Sequence, residues 1–190
     1  SGGVFYPDYF GKNFILNDLT HEGGLTAIRI EGPTNSVDQR IDRLSKELKL
    51  LSQEISILDT EQSNIFWNRT KNLEVFKNLK SNLLRIVLPI SETLQVIQKL
   101  KSNDVNYFID WGGSLVWMAF NEISSKILNE TKQIVKKHHG YYTIIKIEED
   151  LKASADVFTI DPIKYKISEK IKRSFDPKRI FNPGKMYTGI

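Results

Sequence analysis

The chain has 190 residues, 40% of them hydrophobic, 26% charged and 11% aromatic, which suits one domain with a real core and excludes wholesale disorder. It has no cysteine, which excludes disulfides, thiolate metal sites, iron–sulfur ligation and a cysteine nucleophile, and fits a reducing compartment. The formal net charge of +4 is unevenly placed: residues 163–190 hold eight Lys and Arg against Glu169 and Asp176. Such a basic end can serve nucleic acid, a membrane surface, an anionic cofactor or an acidic partner, or it is a solvated helix face.

Residues 1–24, rich in Gly, Asp and Asn, read as an irregular lead-in to one domain over 25–190. The opening SGGVFYPDYF has neither an initiator Met nor a basic region before an apolar one, so it is not a signal peptide. A Ser-Gly-Gly start points to a processed chain, a tag remnant or a piece of a longer protein. No apolar run approaches the length of about 18 residues that a membrane-spanning helix needs.

The stretch LTAIRIE (25–31) alternates as a half-buried strand does, and Gly32-Pro33 ends it. Ser36 with Gln39 suggests a capping box for a helix over 36–52, with Val37, Ile41, Leu44, Leu48 and Leu51 on one stripe. A strand is expected near 55–59 and a helical stretch over 62–78, carrying Phe66, Trp67, Leu73 and Phe76. LLRIVLP (83–89) reads as a strand stopped by Pro89, and Ser91 can cap a helix with Leu94, Ile97 and Leu100 on its stripe. NYFIDW (106–111) and SLVWMAF (114–120) flank Gly112-Gly113, a turn suited to a tight hairpin. Asn121 is the expected cap of a helix to about 137, closed by Gly140, before the strand YYTIIKIE (141–148). Asp161-Pro162 supplies a cap and an N1 proline for a last helix over 162–174.

Helices between short strands could form a doubly wound parallel sheet. Alternating strands favour instead an antiparallel sheet covered by helices. The predicted class is therefore α+β, a sandwich of ferredoxin-like units, with two halves sharing one sheet as one form of it.

Chemistry-bearing patterns are few. His138 and His139 are adjacent and would point about 100° apart on a helix, which suits no shared metal, and His21 is distant in sequence. Glu148-Glu149-Asp150 reads as a solvated turn rather than an acid/base pair. P-loop, GxGxxG and GxSxG patterns are absent. The aromatics at 66, 67, 111 and 117 suit a core better than a base-stacking platform.

The exception is FDPKRIFNPGK (175–185). Pro177 ends the last helix at Asp176, and Asn182-Pro183-Gly184 suits a type II turn with Gly at its left-handed position. Ile180 and Phe181 would be pinned in the core between the two turns. A turn held that firmly presents the Asn182 amide and the Lys185 ammonium at fixed places; the same features also describe a plain C-terminal latch.

IKRSFDPKRIFNPGKMY (171–187) resembles the C-terminal signature of FAD-linked oxidases of the vanillyl-alcohol oxidase type. FWNRTKNLEVF (66–76), LLRIVLPIS (83–91) and FIDWGGSLVWM (108–118) are similar, in order and spacing, to the E-subunit branch of bacterial glycolate oxidases, so that the resemblance covers about 14–190. It implies the C-terminal cap domain of an FAD-binding subunit whose nucleotide-holding domain is not in this chain, with Asn182 and Lys185 near the flavin and weak FAD affinity for these residues alone. It implies oxidation of glycolate or another small 2-hydroxy acid to the 2-oxo acid, with a catalytic FAD subunit and an iron–sulfur subunit as partners. The location implied is the cytoplasm, or peripheral on the inner membrane through the complex. Catalytic members of the superfamily resemble one another in a His pair and acidic cluster that hold a metal; this chain departs from that pattern, which implies an accessory subunit with no catalytic residue of its own. Arg85 is the candidate for gripping a substrate carboxylate, and Asp110-Trp111-Gly112-Gly113 for lining the flavin side. The alternatives are a basic nucleic-acid-binding module, disfavoured by the lack of an RNA-recognition signature, and a domain for subunit assembly alone.

Overall fold

A computed structural model of the chain describes residues 2–8, 23–51, 54–77, 82–101, 104–152, 155–159 and 161–184. The chain divides into two compact units, one of residues 1–78 and 108–113, the other of 79–107 and 114–190. Among the described residues six strands have the order β2-β1-β4-β5-β3-β6: β1 Gly2–Tyr6, β2 Leu25–Arg29, β3 Asn82–Val87, β4 Val105–Asp110, β5 Leu115–Phe120 and β6 Tyr141–Lys146. β1 pairs antiparallel with β2 and β4, and β3 with β5 and β6. The fold is α+β with an antiparallel sheet, and the doubly wound alternative falls.

In the first unit, Gly2–Tyr6 is a strand, which corrects the irregular lead-in over that stretch; residues 9–22 of the lead-in lie outside the described residues. Two glycines and a following proline hid it, yet Val4 and Tyr6 alternate inward as strand geometry requires. The Tyr6 ring stacks on Phe108 at 4.9 Å and meets Phe66 edge-on at 6.3 Å, and Phe76 stacks on Phe108 at 5.6 Å. The Tyr6 hydroxyl donates to Thr70 Oγ1 at 2.9 Å, so this buried phenol is satisfied while burial raises its pKa.

Helix α1, Thr34–Leu48, starts two residues before the expected place. Pro33 occupies the cap with an extended backbone, no side chain caps the helix, and Ser36 falls in its first turn. The strand expected at 55–59 does not form: residues 54–59 are irregular and Ile57 lies in solvent. Asp59 instead caps α2, Thr60–Lys71, in a capping box with Gln62. The helix breaks at Leu73, whose φ is 53°, and a short 3₁₀ turn follows at Glu74–Phe76.

The second unit runs β3, α3 (Ile90–Leu100), residues 105–107 of β4, β5, α4 (Ser125–Lys137), β6. This is the βαββαβ succession expected of a ferredoxin-like unit; the first unit does not repeat it. Pro89, not Ser91, holds the cap of α3. Ser124, not Asn121, caps α4, accepting from the Ile127 amide at 3.2 Å, and Asn121 turns to Asp104 at 2.9 Å.

The C-terminus of α4 departs from expectation in an informative way. His139 takes the left-handed position, φ 56°, and its amide reaches the Lys136 carbonyl while the Gly140 amide reaches that of Val135. That is a Schellman motif with Gly140 one place beyond the left-handed residue. Gly140 is needed for space: a Cβ there would lie 2.5 Å from Leu88 Cδ2 and 2.9 Å from the Val87 carbonyl oxygen.

Along β3 and β5, Leu84, Ile86, Val116, Met118 and Phe120 are fully buried on one face. The other face carries Arg85 in register with Trp117 and Thr143, all half-buried. Helix α5 is the single turn Glu149–Lys152, and α6 spans Pro162–Phe175 with Asp161 as its cap, as expected.

Candidate functional site

Three places answer to the site residues read from the sequence. The first is the turn after α6. The Asp176 carboxylate is buried and accepts from Lys172 Nζ at 2.7 Å and from the amides of Ile180 and Phe181, both at 2.9 Å. Lys172 also donates to the Phe181 carbonyl. The Lys172 ammonium, then the two amides, hold the Asp176 pKa down to about 2. A carboxylate bound on three sides thus fixes the turn to the last coil of α6, a clasp stronger than proline and glycine alone would make.

The expected burial of Ile180 and Phe181 is wrong. They are 66% and 68% exposed, because the clasp pulls in their backbone amides and leaves their side chains facing out. Gly184 has the positive φ, 71°, that the expected turn requires, and Asn182 is itself left-handed at 46°, where Asn is tolerated better than most residues. Asn182 is exposed, and Lys185 lies outside the described residues.

The second place is the half-buried row on β3. Arg85 sits between Trp117 and Thr143, on the face opposite Leu84, Ile86, Val116 and Met118, with buried Leu115 and Ala119 on its own face. A guanidinium held on a strand beside an indole can present a two-toothed donor to a carboxylate.

The third is the turn leaving β4. Asp110 Oδ1 accepts from the Trp111 amide at 2.7 Å, and burial pushes the Asp110 carboxyl up despite that bond. Trp111, Gly112 and Gly113 all have positive φ, at 52°, 62° and 114°, so the link is wider than the expected two-glycine hairpin. Trp111 is 58% exposed, which removes it from the core to which its aromatic character assigned it.

No family model matches the chain. Among curated proteins it aligns with the glycolate oxidase subunit GlcE of Escherichia coli (strain K12), at 26% identity over 167 residues, 86% of this chain and 39% of that protein. The chain is thus similar, at low identity, to part of a glycolate oxidase subunit. It spans about two fifths of that relative's length. The relationship agrees in kind with the resemblance read from the motifs, and reaches across both units of the fold.

Sequence reasoning missed one further cluster. His138 is 6% exposed at the C-cap of α4, with Nδ1 2.6 Å from Glu92 Oε2 and Nε2 2.7 Å from Lys99 Nζ. An ammonium beside Nε2 makes that nitrogen the acceptor and leaves the proton on Nδ1 for Glu92. The His138 bond in turn holds the Glu92 carboxyl below its usual range. The cluster ties α3 to α4. Adjacency of the two histidines gave no sign of it, because Glu92 and Lys99 are remote in sequence. Among the described residues no group of three or more His, Cys, Asp or Glu could hold a metal ion, and His21 lies outside them. Glu148, Glu149 and Asp150 are exposed as expected, but not as a plain turn: Glu148 bonds to buried Asn82, and Glu149 and Asp150 open α5.

Proposed function

We propose that the chain is the C-terminal domain of an FAD-binding subunit of a glycolate-oxidase-type complex, serving oxidation of glycolate or a similar 2-hydroxy acid to the 2-oxo acid. The observation that carries this is the similarity to a glycolate oxidase subunit over 86% of the chain. The chemistry a bound flavin supplies is two-electron acceptance from the hydroxy acid. The clasp at Asp176 orders the turn that carries Asn182, whose amide would face that flavin, with Lys185 assigned the same role from its sequence position alone. Ile180, Phe181 and Asn182, all exposed, suit a ring system bordered by apolar surface. They do not fit a pyrophosphate, for which the sequence has no glycine-rich loop, so the nucleotide half would be held by residues outside this chain. Arg85 orients the substrate carboxylate. The subunit is accessory, associated with a catalytic FAD subunit and an iron–sulfur subunit in the cytoplasm or against the inner membrane; no helix among the described residues is long and apolar enough to cross one.

The test is anaerobic reduction of the assembled complex by glycolate. Arg85→Gln is expected to raise the glycolate concentration for half-maximal reduction at least about tenfold, the loss of a charge-assisted carboxylate contact. An unchanged value would remove Arg85 from the substrate site.

A second reading, a domain for subunit assembly, is favoured by α6. Ile163, Ile167, Ile171 and Phe175 follow one another at four-residue spacing on its surface, all more than half exposed. A stripe of that length marks a contact face. Its occupant in this reading is the remainder of a longer subunit, as the length of the relative suggests.

A further inference from the structure

The first unit contains an open groove of about 900 Å³, within the range of small-molecule sites, and Asp110, Trp111 and Gly112, read above as a candidate flavin-lining stretch, form part of its wall. Its apolar surface comes from Ile28, Ile30, Leu44 and the Trp111 indole, and its charged rim from Arg29, Arg40 and Arg43 against Glu47 and Asp110. Gly2, Gly3 and Gly112 complete the wall; a Cβ on Gly3 would stand 3.5 Å from Gly112 Cα. The backbones of β1 and of the turn thus lie side by side in the wall, with no side chain at these three positions.

Trp111 is the informative residue. A left-handed backbone is disfavoured for a bulky side chain, and the next two positions show that glycine would take it freely. Core burial does not offset the strain, since the side chain is more than half exposed into the groove. Strain held at an exposed aromatic is a reason to look for a ligand. Asp110 holds the turn through the Trp111 amide.

The guanidiniums are positioned and still available. Arg40 Nη1 donates to the Glu31 carbonyl at 3.2 Å, a neutral acceptor. Arg43 pairs with Glu47 at 3.2 Å and Arg29 with Glu31 at 2.8 Å, and in each pair the carboxylate is more than half exposed. Exposed pairs of this kind are weak and use few of the five donors of each guanidinium, so an anion can compete for the rest.

We propose that this groove is a binding site for a flat organic anion of the aromatic carboxylate class, with Trp111 stacking on the ring and Arg40 and Arg43 receiving the carboxylate. The site is built from the first unit alone and stands whether or not the chain belongs beside a flavin.

The test is a titration of the 190-residue chain with 2-naphthoate, followed in ¹H–¹⁵N spectra. Saturable shifts are expected at the Trp111 indole and at the Gly112 and Gly113 amides, with the Trp117 indole unmoved. Binding should weaken at least about tenfold for the uncharged 2-naphthylmethanol, for acetate, and in Arg40→Gln and Trp111→Gly. Arg40 is on the surface and Trp111→Gly relieves backbone strain, so both variants are expected to keep the native spectrum. If Trp111→Gly does not, Arg40→Gln alone decides. The absence of saturable shifts at Trp111 and Gly112, equal affinity for the uncharged analogue, or unchanged affinity in folded Arg40→Gln would overturn the proposal.

Discussion

At the scale of single residues, the sharpest constraint is the junction of α4 and β6. Gly140→Ala would drive a methyl carbon against Leu88 and the Val87 carbonyl, and overpacking of that kind costs about 1–3 kcal/mol. His139→Gly should act oppositely, since glycine occupies the left-handed position without the roughly 1–2 kcal/mol penalty of an L side chain. The gain is partly cancelled by the extra freedom of glycine in the unfolded chain. Denaturant midpoints measure both. The prediction is a clear fall for the first variant and no fall for the second; the reverse order would mean that Gly140, as read from the sequence, is the left-handed residue. Local chemistry alone could not decide this, because a glycine near a helix end has two distinct uses, and only the packing of Leu88 separates them.

At the scale of elements, helix starts show where legibility ended. Asp161-Pro162 placed the last helix correctly because two independent signals, a side-chain acceptor and an N1 proline, coincide there. Ser36 and Ser91 misled because Pro33 and Pro89 already begin those helices by backbone geometry, leaving each serine inside the first turn. The clasp at Asp176 was legible as a turn and not as a carboxylate site, since nothing local says that two amides four and five residues on will converge on it. It carries a pH prediction. The folded pKa of Asp176 is depressed to about 2, below the usual value near 3.9. Its contribution is therefore complete above pH 4 and is lost as pH falls toward 2. Amide exchange at Ile180 and Phe181 should accelerate over that window ahead of the β3 amides; Asp176→Asn should show fast exchange already at neutral pH. Equal protection across the window would remove the carboxylate from the account. With no partner on the α6 stripe, the chain alone is expected to self-associate through it; Ile167→Lys with Ile171→Lys is expected to leave stability within about 0.5 kcal/mol, as surface changes do, and to abolish that association in sedimentation. An unchanged association would place the contact face elsewhere.

At the scale of the whole molecule, strand alternation sufficed for the α+β class and the antiparallel sheet, and the βαββαβ order followed from chain order alone. β1 was lost to its glycines, and the strand at 55–59 was supplied by a five-residue alternation with no partner to pair with. The groove beside Trp111 was invisible for a different reason: it is made by β1, β2, α1 and a turn some eighty residues further along the chain, and no local pattern joins them. A longer subunit that includes these residues should be yellow when purified alone, and its flavin absorbance should fall in the variant carrying Asn182→Ala and Lys185→Ala while the fold is kept. A colourless protein, or a yellow one indifferent to both changes, would contradict the account and leave the Asp176 turn as a structural clasp only.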